Sequence, residues 1–206
     1  MVRIITFIVF FVVSIATAQT PFEHQMTTAL KTLKEGKTSE ALVQFERIAS
    51  VEKANWLPNY YLALSNTIQA FDEKDKVKMI ELLQNAQKAQ DICNRLVGDN
   101  PEVLVMQAMI HTAWIVYDPM TYGRTLSEDV MSNLNKAYEI APENPRVVFQ
   151  KASFEMGMAN YFGQDSAAMC AEIEKSIGLF TTFKPKSALH PNWGLEKAQE
   201  ASKNCK

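Results

Sequence analysis

Two near-identical turns lie 44 residues apart, Asp99-Asn100-Pro101 and Glu143-Asn144-Pro145. The residues after each turn repeat as well. Pro101-x-Val103-x-Val105-x-x-Ala108 matches Pro145-x-Val147-x-Phe149-x-x-Ala152. Ala63 occupies the equivalent place 45 residues before Ala108, and Ala29 lies 34 residues before Ala63. A recurring unit of this length is one supersecondary element that cannot bury its apolar face alone, so neighbouring units must stack. A small residue at a fixed place in each unit lets a second helix approach the first closely.

The units read as helices. From Pro21 onward, apolar residues recur at intervals of three and four rather than in alternation. Met26, Ala29, Leu30 and Leu33 share one face, and Glu35-Gly36-Lys37 breaks it. Thr38-Ser39-Glu40 restarts a helix with a capping residue ahead of an acidic first turn. Further helices are expected from about Trp56 to Phe71, Glu73 to Val97, Pro101 to Tyr117, Ser127 to Ala141 and Pro145 to Phe162. Two more are expected over roughly 164–180 and 192–204, which makes nine and leaves no segment that requires a strand. Seven Gly and eight Pro are too few to turn an all-β sandwich.

Together the small residue of each first helix, Ala41-x-x-x-Phe45-x-x-Ile48 and Leu134-x-x-Ala137-x-x-x-x-Pro142 resemble the tetratricopeptide repeat (TPR). The likeness covers about residues 22–180 in degenerate units that lack the family's opening Trp and helix-A Tyr. It implies an all-α, right-handed superhelical solenoid of about four helix pairs, closed by a C-terminal capping helix at about 192–204. Tyr117 to Arg146 and Pro191-x-Trp193-Gly194 also look like small exported TPR proteins of Bacteroidetes that have no established function. In the repeat family the first helix of each pair lines a concave face. By position that implies a groove of Tyr60, Leu64 and Thr67, then Val105, Met109 and Thr112, then Phe149, Ser153 and Met156. Its soft Met and aromatic lining suits a peptide or helix, unless the superhelix buries these residues itself. The Lys/Asn/Arg set with which some members hold a peptide carboxylate is missing.

The first eighteen residues read as an address. Met1-Val2-Arg3 is a short positive start, Ile4 to Ile15 is apolar apart from Thr6 and Ser14, and Ala16-Thr17-Ala18 is a small-x-small cleavage site. The apolar run would rise roughly 18 Å as a helix, well short of the ~30 Å hydrocarbon core. Cleavage after Ala18 leaves residues 19–206 as one TPR-like domain, exported to the periplasm or secreted, without stable membrane insertion. With 47% hydrophobic residues, 21% charged and a formal net charge of −2, the full chain reads as neither disordered nor a nucleic-acid binder.

Catalytic motifs are missing. His24, His111 and His190 fall in different units, and no Gly-rich phosphate loop, Gly-x-Ser-x-Gly elbow or Cys-x-x-Cys pair is present. No metal, no cofactor and no enzymatic activity are therefore expected. Cys93 sits at an apolar helical position and reads as packing. An oxidising compartment permits a disulfide between Cys170 and Cys205; the alternative is an unpartnered Cys205 on a frayed tail. The segment Asp118 to Leu126 reads as a long loop whose Met120, Tyr122 and Arg124 are types enriched at interfaces, or which fold back onto the helices. The expected function is a non-enzymatic interaction module for an unknown peptide or protein partner. A small-ligand carrier using the apolar groove is the alternative.

Overall fold

The computed structural model describes residues 20–205. The signal peptide read from residues 1–18 lies outside the described residues. Among those described, nine helices and no strand are found: α1 (Pro21–Lys34), α2 (Thr38–Val51), α3 (Leu57–Asp72), α4 (Lys76–Val97), α5 (Pro101–Tyr117), α6 (Pro119–Ile140), α7 (Pro145–Tyr161), α8 (Ala167–Thr182) and α9 (Leu195–Lys203). The fold is all-α.

Local chemistry explains most starts. Thr20 and Glu23 form a reciprocal capping box on α1. Asp75 accepts from the Val77 and Lys78 amides at the head of α4. The preceding Glu73 carboxylate binds the Lys74 and Asp75 amides, which delays this helix beyond Glu73. Asn100 and Asn144 cap α5 and α7 in the same way, each with Pro at the first helical position, where the missing amide hydrogen is not needed. At α2 the capping position is Lys37, not Thr38, and no side chain caps it.

One expectation fails at Asp118. The segment to Leu126 is helix, not loop: α6 begins at Pro119, directly after α5 ends. Asp118 is the N-cap, taking the Thr121 amide at 3.1 Å on Oδ1 and the Thr121 hydroxyl at 2.6 Å on Oδ2. Gly123 is carried inside the helix, where Tyr122 rests on Trp114 with ring centroids 5.1 Å apart. Met120 projects outward at 87% exposure and Arg124 is exposed as well.

Helices α1, α3, α5 and α7 each pack most extensively on the helix that follows, α9 packs on α8, and α3, α5 and α7 also touch side by side. The recurring alanines Ala29, Ala63, Ala108 and Ala152 are all buried. The first helices are covered on more than one side: Leu57 to Thr67 in α3 and Glu102 to Ile110 in α5 are buried without a break. Part of that cover comes from the chain after α8. Residues 183–194 run as an irregular strap over the heads of α3 and α7. Tyr61 Oη donates to the Leu189 carbonyl at 2.9 Å, and Trp193 Nε1 donates to Tyr60 Oη at 3.0 Å. Burial pushes both phenols well above the ordinary tyrosine range, so each keeps its proton. The closing helix is therefore shorter than 192–204, and Trp193 belongs to the strap. Cys170 and Cys205 are joined (Cα–Cα 5.6 Å), which ties α8 to the chain end and closes a loop that contains the strap and α9.

Candidate functional site

The groove expected on the first helices is not open. Tyr60, Leu64, Thr67, Val105, Met109 and Phe149 are buried, and Thr112, Ser153 and Met156 are half-buried. Thr67 and Thr112 spend their hydroxyls on the carbonyls of Ala63 and Ala108, one turn back, both at 2.8 Å. Neighbouring helices cover this face, with α8 and α9 against Phe149, and the strap reaches its α3 end at Tyr60, because an apolar face of that size is stable only when covered. Met120, Tyr122 and Arg124 lie apart from it on α6.

An open cavity of about 770 Å³ lies instead at the heads of α5 and α7. Its base is the two capped helix starts, with Pro101, Glu102, Asn144 and Arg146. Ile140 and the turn 141–143 bound one side. Leu179 and Phe183, from the end of α8, and the strap residues Lys184, Pro185, Lys186, His190 and Pro191 form the other. Trp56 closes the α3 end.

A buried ion pair organises the base. Arg146 donates from Nε to Glu102 Oε2 at 2.7 Å and from Nη2 to Glu102 Oε1 at 2.6 Å. Asn144 Nδ2 adds a third bond to Glu102 Oε1, also at 2.6 Å. Arg146 has no exposed surface and Glu102 only 8%. Burial works against the arginine charge, but the bonds and charge of Glu102 outweigh it and hold the Arg146 pKa above its ordinary value. Arg146 Nη1 has no partner among the described residues. The guanidinium carbon sits 4.6 Å from the Phe183 ring centre, a cation–π contact that holds Phe183 against the cavity wall.

Of the three histidines, one lines this cavity. His190 pairs Nδ1 with the Ser187 hydroxyl at 2.8 Å and sets its ring edge-on to Trp56 at 5.9 Å. Burial first, then the charge of Lys186, lowers its pKa, so the imidazole is neutral at pH 7. His111 lies elsewhere, bonded to Gln107 at 2.8 Å, and His24 borders a second cavity between α1 and α2. Cys93 is buried, and burial pushes its thiol up to about 12. Among the described residues, no group of three His, Cys, Asp or Glu side chains is placed to hold a metal ion.

Sequence reading missed Trp56, Glu102, Arg146, Phe183, Lys184, Lys186 and His190. For Glu102 and Arg146 a signal existed: both come directly after the repeated Asn-Pro, so they occupy the same register in adjacent units with opposite charge. The strap carries no such signal, because an irregular segment has no period.

No family model and no curated protein matches this chain. Among solved structures, the chain is similar to the HusA haemophore from Porphyromonas gingivalis, with 25% sequence identity and a TM-score of 0.79 over 91% of this chain and 94% of that one. That neighbour is an all-helical protein of a Bacteroidetes species. The likeness corrects the expectation of a peptide- or protein-binding module: the groove that reading required is filled, and the similar structure is that of a haemophore. No described helix is long and apolar enough to cross a membrane.

Proposed function

We propose that this protein is an exported, non-enzymatic carrier that binds haem in the cavity between the heads of α5 and α7 and the strap. The observation that carries the reading is a cavity of about 770 Å³ in a chain that shares its fold over nearly its full length with a haemophore. The volume lies within the roughly 300–1,000 Å³ usual for small-molecule sites. Trp56, Ile140, Leu179 and Phe183 offer a flat macrocycle apolar and aromatic surface, and burying it is the main source of affinity. Haem would be cargo here, taken up and released unchanged.

The same reading extends to the scaffold. The pairs α1–α2, α3–α4, α5–α6 and α7–α8 are degenerate TPR-like units stacked as a solenoid, and α9 covers the last one. Pairwise packing and the buried recurring alanines support this. An N-terminal signal peptide cleaved after Ala18 accounts for export.

Titration of the chain 19–206 with haemin, monitored by its Soret absorbance, tests the proposal. Saturable one-to-one binding is expected, with Trp56→Ala weakening it at least tenfold at an unchanged circular dichroism spectrum. Absence of saturable binding would overturn it.

A further inference from the structure

We propose that Lys184 and Lys186 receive the acidic side chains of the bound ring, so that the site selects an apolar ring system bearing carboxylates and not the macrocycle alone. The inference rests on the carrier reading above. Its basis is the geometry of the strap. Phe183 is extended (φ −64°, ψ 130°), and Lys184 precedes Pro185, which confines it to extended backbone too. In extended chain, alternate residues face the same way. Phe183 and Pro185 are accordingly half-buried, whereas Lys184 and Lys186 are exposed, and all four line the cavity. One side of the strap thus supplies apolar wall and the other places two ammonium groups at the mouth.

The charges around the cavity leave these two lysines available. Arg146 is matched by Glu102. Lys136, Lys151, Lys175 and Lys197 are each in an ion pair, but neither Lys184 nor Lys186 pairs with a described residue. The other acid in the lining is Glu143, exposed on the turn across the cavity, so two cations face one free carboxylate. Lys186 lies close enough to the interior for its charge to help lower the pKa of His190. Deeper in, Arg146 keeps Nη1 without a partner among the described residues. A ring whose carboxylates stay at the mouth leaves its apolar edge to enter between Trp56 and Phe183, and no carboxylate has to be desolvated.

Haemin and haemin dimethyl ester discriminate the idea, since they share the ring and iron and differ only in the two carboxyl groups. Wild-type protein should bind haemin at least tenfold more tightly than the ester, with the difference shrinking as salt is raised. In K184Q/K186Q, which alters exposed side chains alone, haemin affinity should fall to near that of the ester while ester affinity stays unchanged. Equal binding of haemin and ester by the wild type would overturn this proposal and leave the carrier reading standing. So would a double variant that keeps the full preference. Failure of both compounds to bind would sink the carrier reading itself, and this inference with it.

Discussion

Glu102 and Arg146 occupy the same place in successive helix pairs and meet as a bidentate ion pair, 2.6 Å and 2.7 Å long, at the base of the cavity. The repeat brings them together: each is the second residue of a helix capped by Asn and opened by Pro, and α5 lies alongside α7. The pair fastens two units at their heads and holds Phe183 in the wall.

Removing one partner leaves a buried charge. R146M should lower unfolding free energy by about 3–5 kcal/mol, and the double variant E102L/R146M should recover most of the loss, because apolar replacement of both groups removes the desolvation cost as well. Urea denaturation of the two variants measures this. A single variant within about 1 kcal/mol of wild type would show that the pair is dispensable.

The disulfide has a sequence separation of 35 residues, and closing a loop of that size contributes about 3–4 kcal/mol through the unfolded chain. C170A/C205A should therefore melt on the order of 10 °C lower. Haemin affinity should drop with it, because the strap lies inside the loop. A variant that melts like the wild type would assign the bond no role in holding the strap.

Gly194 turns the chain from strap to α9 at φ +113°, and a Cβ there would stand 2.7 Å from Phe180 Cζ and 3.7 Å from Arg146 Cγ. G194A combines a backbone conformation that L-residues resist with a collision in a packed cluster. The backbone part alone costs roughly 1–3 kcal/mol. Thermal melts of G194A and F180L/G194A separate the two causes: the second should recover the collision and keep the backbone penalty. Full recovery would mean that backbone strain is negligible here.

Stability should fall as pH drops below 6.5. His111 and His190 both have pKa values lowered from 6.5, in each case chiefly by burial. Above 6.5 both the folded and unfolded states hold them neutral, and their contribution is complete. Below it the unfolded chain takes up protons that the folded chain refuses, and stability is lost until the folded pKa values are passed. Urea midpoints at pH 7.5, 6.5 and 5.5 report the slope, and H111Q/H190Q should flatten it. An identical slope in that variant would assign the loss to other groups.

The expectation of a loop at Asp118 fails for a specific reason. Asp-Pro ends one helix and can also begin the next, and a Gly five residues on looks like a turn. Only the contact between Tyr122 and Trp114 and the Thr121 bonds to Asp118 distinguish the two outcomes. The Pro101 and Pro145 starts are legible because an Asn cap, then Pro, then an apolar periodic run admits one local solution.

By itself the sequence determined the all-helical class, the helix pairs and the recurring alanines between them, because caps, prolines and a 3.6-residue apolar period act within a few residues of one another. It also set Glu102 and Arg146 in matching register. The path of residues 183–194 was decided only by tertiary structure. Leu189 and Trp193 bond to Tyr61 and Tyr60 across 128 and 133 residues of chain, and no local pattern encodes a contact of that span. That path covers the heads of α3 and α7 and supplies one wall of the cavity. An irregular segment takes its course from the surface it must cover, and that surface exists only once the helices have packed.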